Sequence, residues 1–192
     1  MREVAEVKFA KVHPNAIIPS KRDEDMGFDI YACFDEDYIV INPHETKLIP
    51  TGIASACNPK YGFLVFERGS TGSKGIARRC GVIDSGYRNE WFIGLTNTTN
   101  NTLYISKISK EEIIDRTYNS DKMNKAWDDL FGSVVSIKEN LLNNIVVYPY
   151  TKAIAQALVV PVPKVITDEI SYDELKEIKS ERGMGALGSS NK

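Results

Sequence analysis

Apolar and polar residues alternate along most of this chain in short bursts. Residues 4–12 mix the two at short intervals, as a half-buried strand does, until Pro14 and Pro19 break the pattern. After Gly27 the run Phe28, Asp29, Ile30, Tyr31, Ala32 alternates with a period of two. It predicts a strand entered through a glycine bend, with Asp29 on the face opposite Phe28 and Ile30. Further strands are expected at 38–41, 46–54 and 61–67, separated by Asn42 and Pro43 and by Asn58 and Pro59. Strands this short and this regularly interrupted point to an all-β sandwich or barrel. A buried strand is expected at 153–161 with one polar interruption, Gln156. A buried amide must find partners, so Gln156 is either a structural tie or a ligand contact.

Between 100 and 148 the period lengthens. Ser109, Lys110, Glu111 and Glu112 fit a capping box, and Met123, Trp127, Leu130, Val134, Ile137 and Leu141 recur at intervals of three and four. A helical insert over about 106–145 follows, with Gly132 as its kink or break. Such helices usually pack on their own domain. Ser171 to Glu174 carry a second capping box and predict a helix to about residue 178. The glycines and serines of 181–192 preclude a regular element, leaving a flexible C-terminal arm. An Arg at its head, Arg182, also suits a mobile lid over an anionic ligand.

Composition narrows the class. With 192 residues, 42% of them hydrophobic, the chain supports one well-buried core, hence a single domain over 1–192 with embellishments. A net charge of -2 with scattered Lys and Arg gives no footprint for a nucleic-acid polymer, although a single nucleotide fits. Cys33, Cys57 and Cys80 are odd in number and lack a Cys-x-x-Cys pair, so free thiols in a reducing compartment are expected rather than disulfides or zinc. The sequence opens without an apolar leader and has no apolar run long enough to span a bilayer, so a soluble cytoplasmic protein is expected, with no membrane partner.

Two stretches carry candidate chemistry. In 81–97 an apolar segment delivers Asp84 into a turn made by Ser85 and Gly86, and the chain returns through Tyr87, Trp91, Ile93 and Leu95. This predicts a β-hairpin that sets an acid beside an aromatic, where a water-activating base would face a flat ligand. Capping of the turn is the other role open to Asp84. In 67–76, Arg68, Gly69, Ser70, Thr71, Gly72, Ser73, Lys74 and Gly75 make a loop able to cradle phosphate oxygens, or an ordinary surface loop; it does not match a P-loop.

Taken together, five segments stand in a telling order: Gly27 to Ala32, Arg68 to Ser70, Gly81 to Arg88, Ile154 to Gln156, and Arg182 to Gly185. They closely resemble the ordered motifs of the trimeric deoxyuridine triphosphatase (dUTPase) family. The resemblance implies a jelly-roll-like β-barrel, a homotrimer with shared active sites, and Mg2+-dependent hydrolysis of dUTP to dUMP and pyrophosphate, which keeps uracil out of DNA and supplies dUMP for dTMP synthesis. It further implies that Asp84 activates the water attacking the α-phosphorus. Gly81, Val82 and Ile83 would read the uracil edge, and Tyr87 would sit under the deoxyribose. Arg68, Gly69, Ser70, Thr71, Gln156, Arg182, Ser189 and Ser190 would surround phosphate oxygens, Leu187 and Gly188 would cover the base, and Asp29 would fix Mg2+ through water.

The sequence also departs from the family pattern. Gly69 replaces a Ser, Ala153 an Arg, and Leu187 an aromatic that stacks on uracil. Two other readings come with the resemblance. A related dCTP deaminase uses a late glutamate, for which this chain has Gly94. A regulatory protein would capture a partner through the helical insert.

Overall fold

Strand pairing, rather than local sequence, decides where the elements of this chain begin and end. The computed structural model describes residues 4–120 and 142–181. The chain divides into two units, Met1–Val162 and Pro163–Lys192. The first holds β1 (Val7–Lys11), β2 (Phe28–Ile30), β3 (Tyr38–Ile41), β4 (Thr46–Pro50), β5 (Ile53–Cys57), β6 (Tyr61–Phe66), α1 (Gly69–Gly72), β7 (Ile76–Arg79), β8 (Val82–Ile83), β9 (Phe92–Asn97), β10 (Thr102–Ser106), α2 (Lys110–Ser120), β11 (Ile145–Pro149) and β12 (Ala155–Pro161). These strands form four small sheets, ordered β1-β5, β11-β10-β3, β2-β12-β6-β8 and β4-β9-β7. Most neighbours are distant in sequence, and the result is an all-β, jelly-roll-like fold.

One apolar core unites the sheets. Trp91 is fully buried, edge-on to Phe63 at 4.9 Å and to Phe9 at 5.9 Å, and its indole N–H donates to Ser55 Oγ at 3.2 Å. Burial of each large side chain of this kind contributes about 1.5–3 kcal/mol. Asn97 is equally enclosed, yet its amide donates to the carbonyls of Ile41, Asn42 and Asn101, so no donor is stranded.

Two expectations about the elements are corrected. The strand expected at 46–54 is two strands, because Gly52 takes φ +66° and turns the chain between β4 and β5. No other residue fits there: a Cβ on Gly52 would lie within 2.9 Å of Ala16, Cys33 and His13. Gly27 forms the expected bend at the entry to β2 without a positive φ, and it also supplies space, since a Cβ would press on Gln156 at 3.3 Å. The segment 67–76 is not all loop. Arg68 N-caps the single turn α1, whose Thr71 hydroxyl bonds to both the N–H and the carbonyl of Arg68.

The insert expected at about 106–145 is bounded by two strands. Its two ends are β10 and β11, paired parallel from Thr102↔Ile145 to Ser106↔Pro149. Parallel neighbours need a crossover connection, and α2 is part of it. Ser109 caps that helix by accepting from the Glu112 N–H at 3.1 Å, while the Glu112 carboxylate turns to Arg116 at 2.7 Å. Ile113 and Ile114 bury against Ile145 on the β11-β10-β3 sheet. The helical residues expected from Met123 to Leu141 lie outside the described residues.

In the second unit α3 (Tyr172–Glu177) has the expected reciprocal cap: Ser171 Oγ accepts from Glu174 N–H at 3.1 Å, and Ser171 N–H donates to the Glu174 carboxylate at 2.8 Å. Among the described residues no helix is long and apolar enough to cross a membrane.

Candidate functional site

Strand β6 organises the candidate site, because the predicted residues gather at its two ends. At its C-terminal end three strands lie side by side: Gln156 of β12 faces Asp29 of β2 on one side and Phe66 of β6 on the other. Arg68, two residues past the end of β6, pairs with Asp29, Nε to Oδ1 at 3.0 Å, both side chains one-third exposed. Gln156 donates from Nε2 to the Glu67 carbonyl at 2.8 Å, so its amide is a structural tie between β12 and the corner after β6. The same residue lines the groove.

That groove, about 600 Å³, is bordered by Ser20, Lys21, Arg22, Asp25, Asp29, Arg68 and Gln156. Its 20–25 wall was not anticipated. The dense charge between Pro19 and Gly27 is the signal that marks it. Arg22 grips Asp25 with two bonds of 2.9 Å and its own N–H at 3.2 Å, which lowers the Asp25 carboxyl to about 2. Lys21 Nζ donates to the Asp25 carbonyl at 2.9 Å.

The corner that holds Arg68 has its own brace. Glu67 Oε1 accepts from the Arg78 N–H at 2.9 Å. Hydrogen bonds from its own backbone and from Arg78 hold the Glu67 carboxyl below its ordinary value, against an opposing effect of burial. Ser70 is exposed, with its hydroxyl 3.2 Å from the Tyr148 phenol. Thr71 differs from expectation. Its side chain is only 1% exposed and is consumed by capping α1, so it shapes the corner and does not face a ligand. Gly69 has nothing within 4 Å of where a Cβ would stand, leaving room for the serine that the motif lacks.

Asp84 belongs to the other end of β6. In β8, Ile83 pairs with Phe63 and Val82 with Leu64, and Val65 N–H donates to the Gly81 carbonyl at 2.7 Å. The β8-β6 pairing ends at Ile83, so the next residue, Asp84, leaves at the Gly62 end of β6, six residues before Arg68. At about 3.3 Å per residue that is roughly 15–20 Å along the strand. Gly81 packs too closely for any side chain, since a Cβ would lie 2.9 Å from the Val65 carbonyl oxygen and collide with the Arg78 guanidinium.

The predicted hairpin is not one. β8 pairs with β6, whereas β9 pairs with β4 and β7, so the segment between them crosses from one sheet to another. Tyr87 N–H still closes a turn onto the Asp84 carbonyl at 3.1 Å, as Asp-Ser-Gly implies. The cleft here, about 310 Å³, is lined by Leu48, Val82, Ile83, Asp84, Tyr87 and Phe92. Leu48, Val82, Ile83 and Phe92 make up most of its lining, beside Asp84 and Tyr87. Leu48 and Val82 are 60% and 70% exposed.

Other expectations have definite positions. Gly94 lies within β9, and a Cβ there would be 3.1 Å from the Arg79 carbonyl oxygen, a tight place for the deaminase glutamate. Arg182, Leu187, Gly188, Ser189 and Ser190 lie outside the described residues. Among the described residues no three His, Cys, Asp or Glu side chains form a cluster able to hold a metal by themselves.

Comparison with known proteins points to one family. A family model described as dUTPase matches residues 13–110. A deoxyuridine 5'-triphosphate nucleotidohydrolase of Leptospira interrogans is 33% identical over 99 residues, which cover 50% of this chain and 68% of that protein. One from Neisseria meningitidis is 39% identical over 75 residues, 37% of this chain and 49% of the other. Among solved structures, a Staphylococcus bacteriophage 80alpha dUTPase with dUpNHpp aligns at a TM-score of 0.64 with 19% identity, covering 96% of this chain and 98% of that one. A dUTPase from phage phi11 of S. aureus aligns at 0.57 with 16% identity, over 86% and 96% of the two chains; that enzyme has a species-specific insert, and a mutant of it coordinates a structural Mg(II) ion.

Proposed function

The chain belongs to the dUTPase family, and from that premise we propose that it hydrolyses dUTP to dUMP and pyrophosphate. One observation carries the reading: the motif residues divide between two clefts of opposite character at the two ends of β6. A nucleoside triphosphate divides in the same way. Its flat base and sugar suit the apolar cleft of Leu48, Val82, Ile83, Tyr87 and Phe92, and its polyanionic tail suits the groove of Lys21, Arg22, Arg68 and Gln156.

In this reading Asp84 takes a proton from a water as that water attacks the α-phosphorus, and the bond to the bridging oxygen breaks to release pyrophosphate. The backbone of Gly81, Val82 and Ile83 reads the uracil edge, and Tyr87 packs under the deoxyribose. Arg68 exchanges its partner Asp29 for a phosphate oxygen, with Gly69 and Ser70 alongside.

The residues present fit Mg2+. That cation keeps most of its waters and leans on substrate phosphates, so one accessible carboxylate suffices, and Asp29 at the groove is that carboxylate. Bound there, Mg2+ would neutralise charge on the phosphates.

The roughly 15–20 Å of strand between Asp84 and Arg68 is too long for one chain to offer both to one phosphate tail. We therefore assign the site to the junction between copies, the apolar cleft of one facing the groove of another, in a homotrimer. The exposed Leu48, Val82 and Phe92 are then covered.

The deciding experiment is a nucleotide panel of dUTP, dTTP, dCTP and UTP with Mg2+, following pyrophosphate and base products, with Asp84→Asn alongside. Pyrophosphate from dUTP, lost in the variant by a factor of about 10²–10⁴, is the expected outcome. A folded wild-type protein inert towards dUTP, or ammonia from dCTP, would overturn the reading.

A further inference from the structure

Because β8 and β9 lie in different sheets, the segment that carries Asp84 has no strand ladder to hold it. What fixes it must come from elsewhere. At its far end Trp91 N–H donates to the Ile53 carbonyl at 2.8 Å, and Glu90 Oε1 accepts the Gly52 N–H at 2.7 Å. The Tyr87 phenol donates to the Glu90 carbonyl at 3.0 Å, which ties the ring into the same frame.

Near Asp84 the brace is a single guanidinium nitrogen. Arg88 Nη1 donates to the carbonyl of Ser85 at 2.6 Å, of Tyr87 at 3.2 Å and of Ser55 at 3.2 Å. Two of these carbonyls belong to the turn, one of them next to Asp84. The third belongs to β5, where Ser55 is buried, receives the Trp91 indole N–H and lies opposite Phe9 of β1. The turn is thus fastened to the rigid part of the core by Arg88.

We propose that Arg88 is a positioning residue for hydrolysis: it holds the Asp84 turn in place against β5 and touches neither water nor substrate itself. The inference rests on the dUTP-hydrolysis reading. Geometry makes the effect specific, because a general base misplaced by about 1 Å loses rate on the order of 10²-fold.

The test compares wild type, Arg88→Met and Arg88→Lys in kcat and KM for dUTP with Mg2+, in thermal midpoint, and in hydrogen exchange of the Tyr87 amide, the donor that closes the turn. Arg88→Met should fold, exchange at Tyr87 at least about tenfold faster, and lose about 10² in kcat while KM moves only a few-fold. Arg88→Lys should regain much of that kcat, since an ammonium also offers donors to several carbonyls. Wild-type kcat in the Met variant overturns the proposal. So does a loss of kcat with Tyr87 exchange unchanged, which would mean that Arg88 acts on the substrate.

If Arg88→Met does not fold, the Lys variant decides. Near-wild-type kcat and Tyr87 exchange in folded Arg88→Lys support the clamp, and a stable Lys variant with depressed kcat but unchanged exchange sinks it. An inactive wild type defeats the dUTP reading instead, and Tyr87 exchange then judges the clamp alone.

Discussion

Arg68 and Asp29 neutralise each other across the β2-β12-β6 sheet, Nε to Oδ1 at 3.0 Å, in the groove proposed to receive a polyanion. The pair has two consequences that separate its structural from its chemical worth. Being one-third exposed, it contributes only about 0–1 kcal/mol to stability. Asp29→Asn should therefore barely shift the thermal midpoint. If Asp29 holds Mg2+ through water, the same substitution should lower dUTP turnover by about 10–100-fold and raise the Mg2+ concentration needed for half-maximal rate. An unchanged Mg2+ titration would leave Asp29 as no more than a tether for Arg68.

Two glycines in the same fold should respond oppositely to alanine. Gly52 has φ +66°, and a Cβ would stand 2.8 Å from Ala16 Cβ and 2.9 Å from Cys33 Sγ. Left-handed strain and overpacking together make Gly52→Ala destabilising by on the order of 3 kcal/mol. Gly86 sits in the Asp84 turn, yet it has ordinary φ and nothing within 4 Å. Gly86→Ala should leave stability unchanged or raise it by about 0.4–1 kcal/mol. Urea unfolding of the two variants beside wild type measures both.

These glycines also show what was legible in the sequence. Alternation and short apolar runs located β2, β3, β6 and β12 to within a residue or two, because each sets side chains into the core. It missed β7, whose Ile-Ala-Arg-Arg is a strand only because β9 lies beside it. It also mistook the Asp84 segment for a hairpin: β8 is two residues long, and its partner is β6, some twenty residues earlier. Strand register and the Arg68–Asp29 pair set Asp29, Arg68 and Gln156 of three ordered motifs side by side. Their separation from Asp84 by the length of β6 is a property of register alone, and no local pattern encodes it.

Acid should loosen the corner that positions Arg68. Backbone hydrogen bonds hold the folded Glu67 carboxyl below its ordinary 4.5, so the unfolded chain binds the proton more readily. The stabilisation is present above pH 4.5 and is lost as pH falls through the lower folded value. Glu67→Gln removes this group's titration. Unfolding curves between about pH 6 and 3 should therefore fall less steeply for the variant than for wild type. Parallel slopes would show that Glu67 contributes nothing to the pH dependence.

The crossover between β10 and β11 sets a limit on how far the insert can be trimmed. The two strands run parallel over five paired positions, Thr102↔Ile145 to Ser106↔Pro149, so the chain leaving Ser106 must travel back the length of a strand before it can enter Ile145. At about 3.3 Å per residue the return alone is roughly 17 Å, and real crossovers need about a dozen residues. Replacing 107–144 with a four-residue turn should prevent the β11-β10-β3 sheet from forming and yield no cooperative unfolding transition. A flexible linker of about fifteen residues should restore the sheet while lacking Ile113 and Ile114, whose burial on it is worth about 2–5 kcal/mol each by truncation data for isoleucine. Circular dichroism melts of the two replacements decide the matter. A cooperative fold with the four-residue turn would mean that β11 can abandon its parallel neighbour, and the helical insert would then have no structural reason to exist.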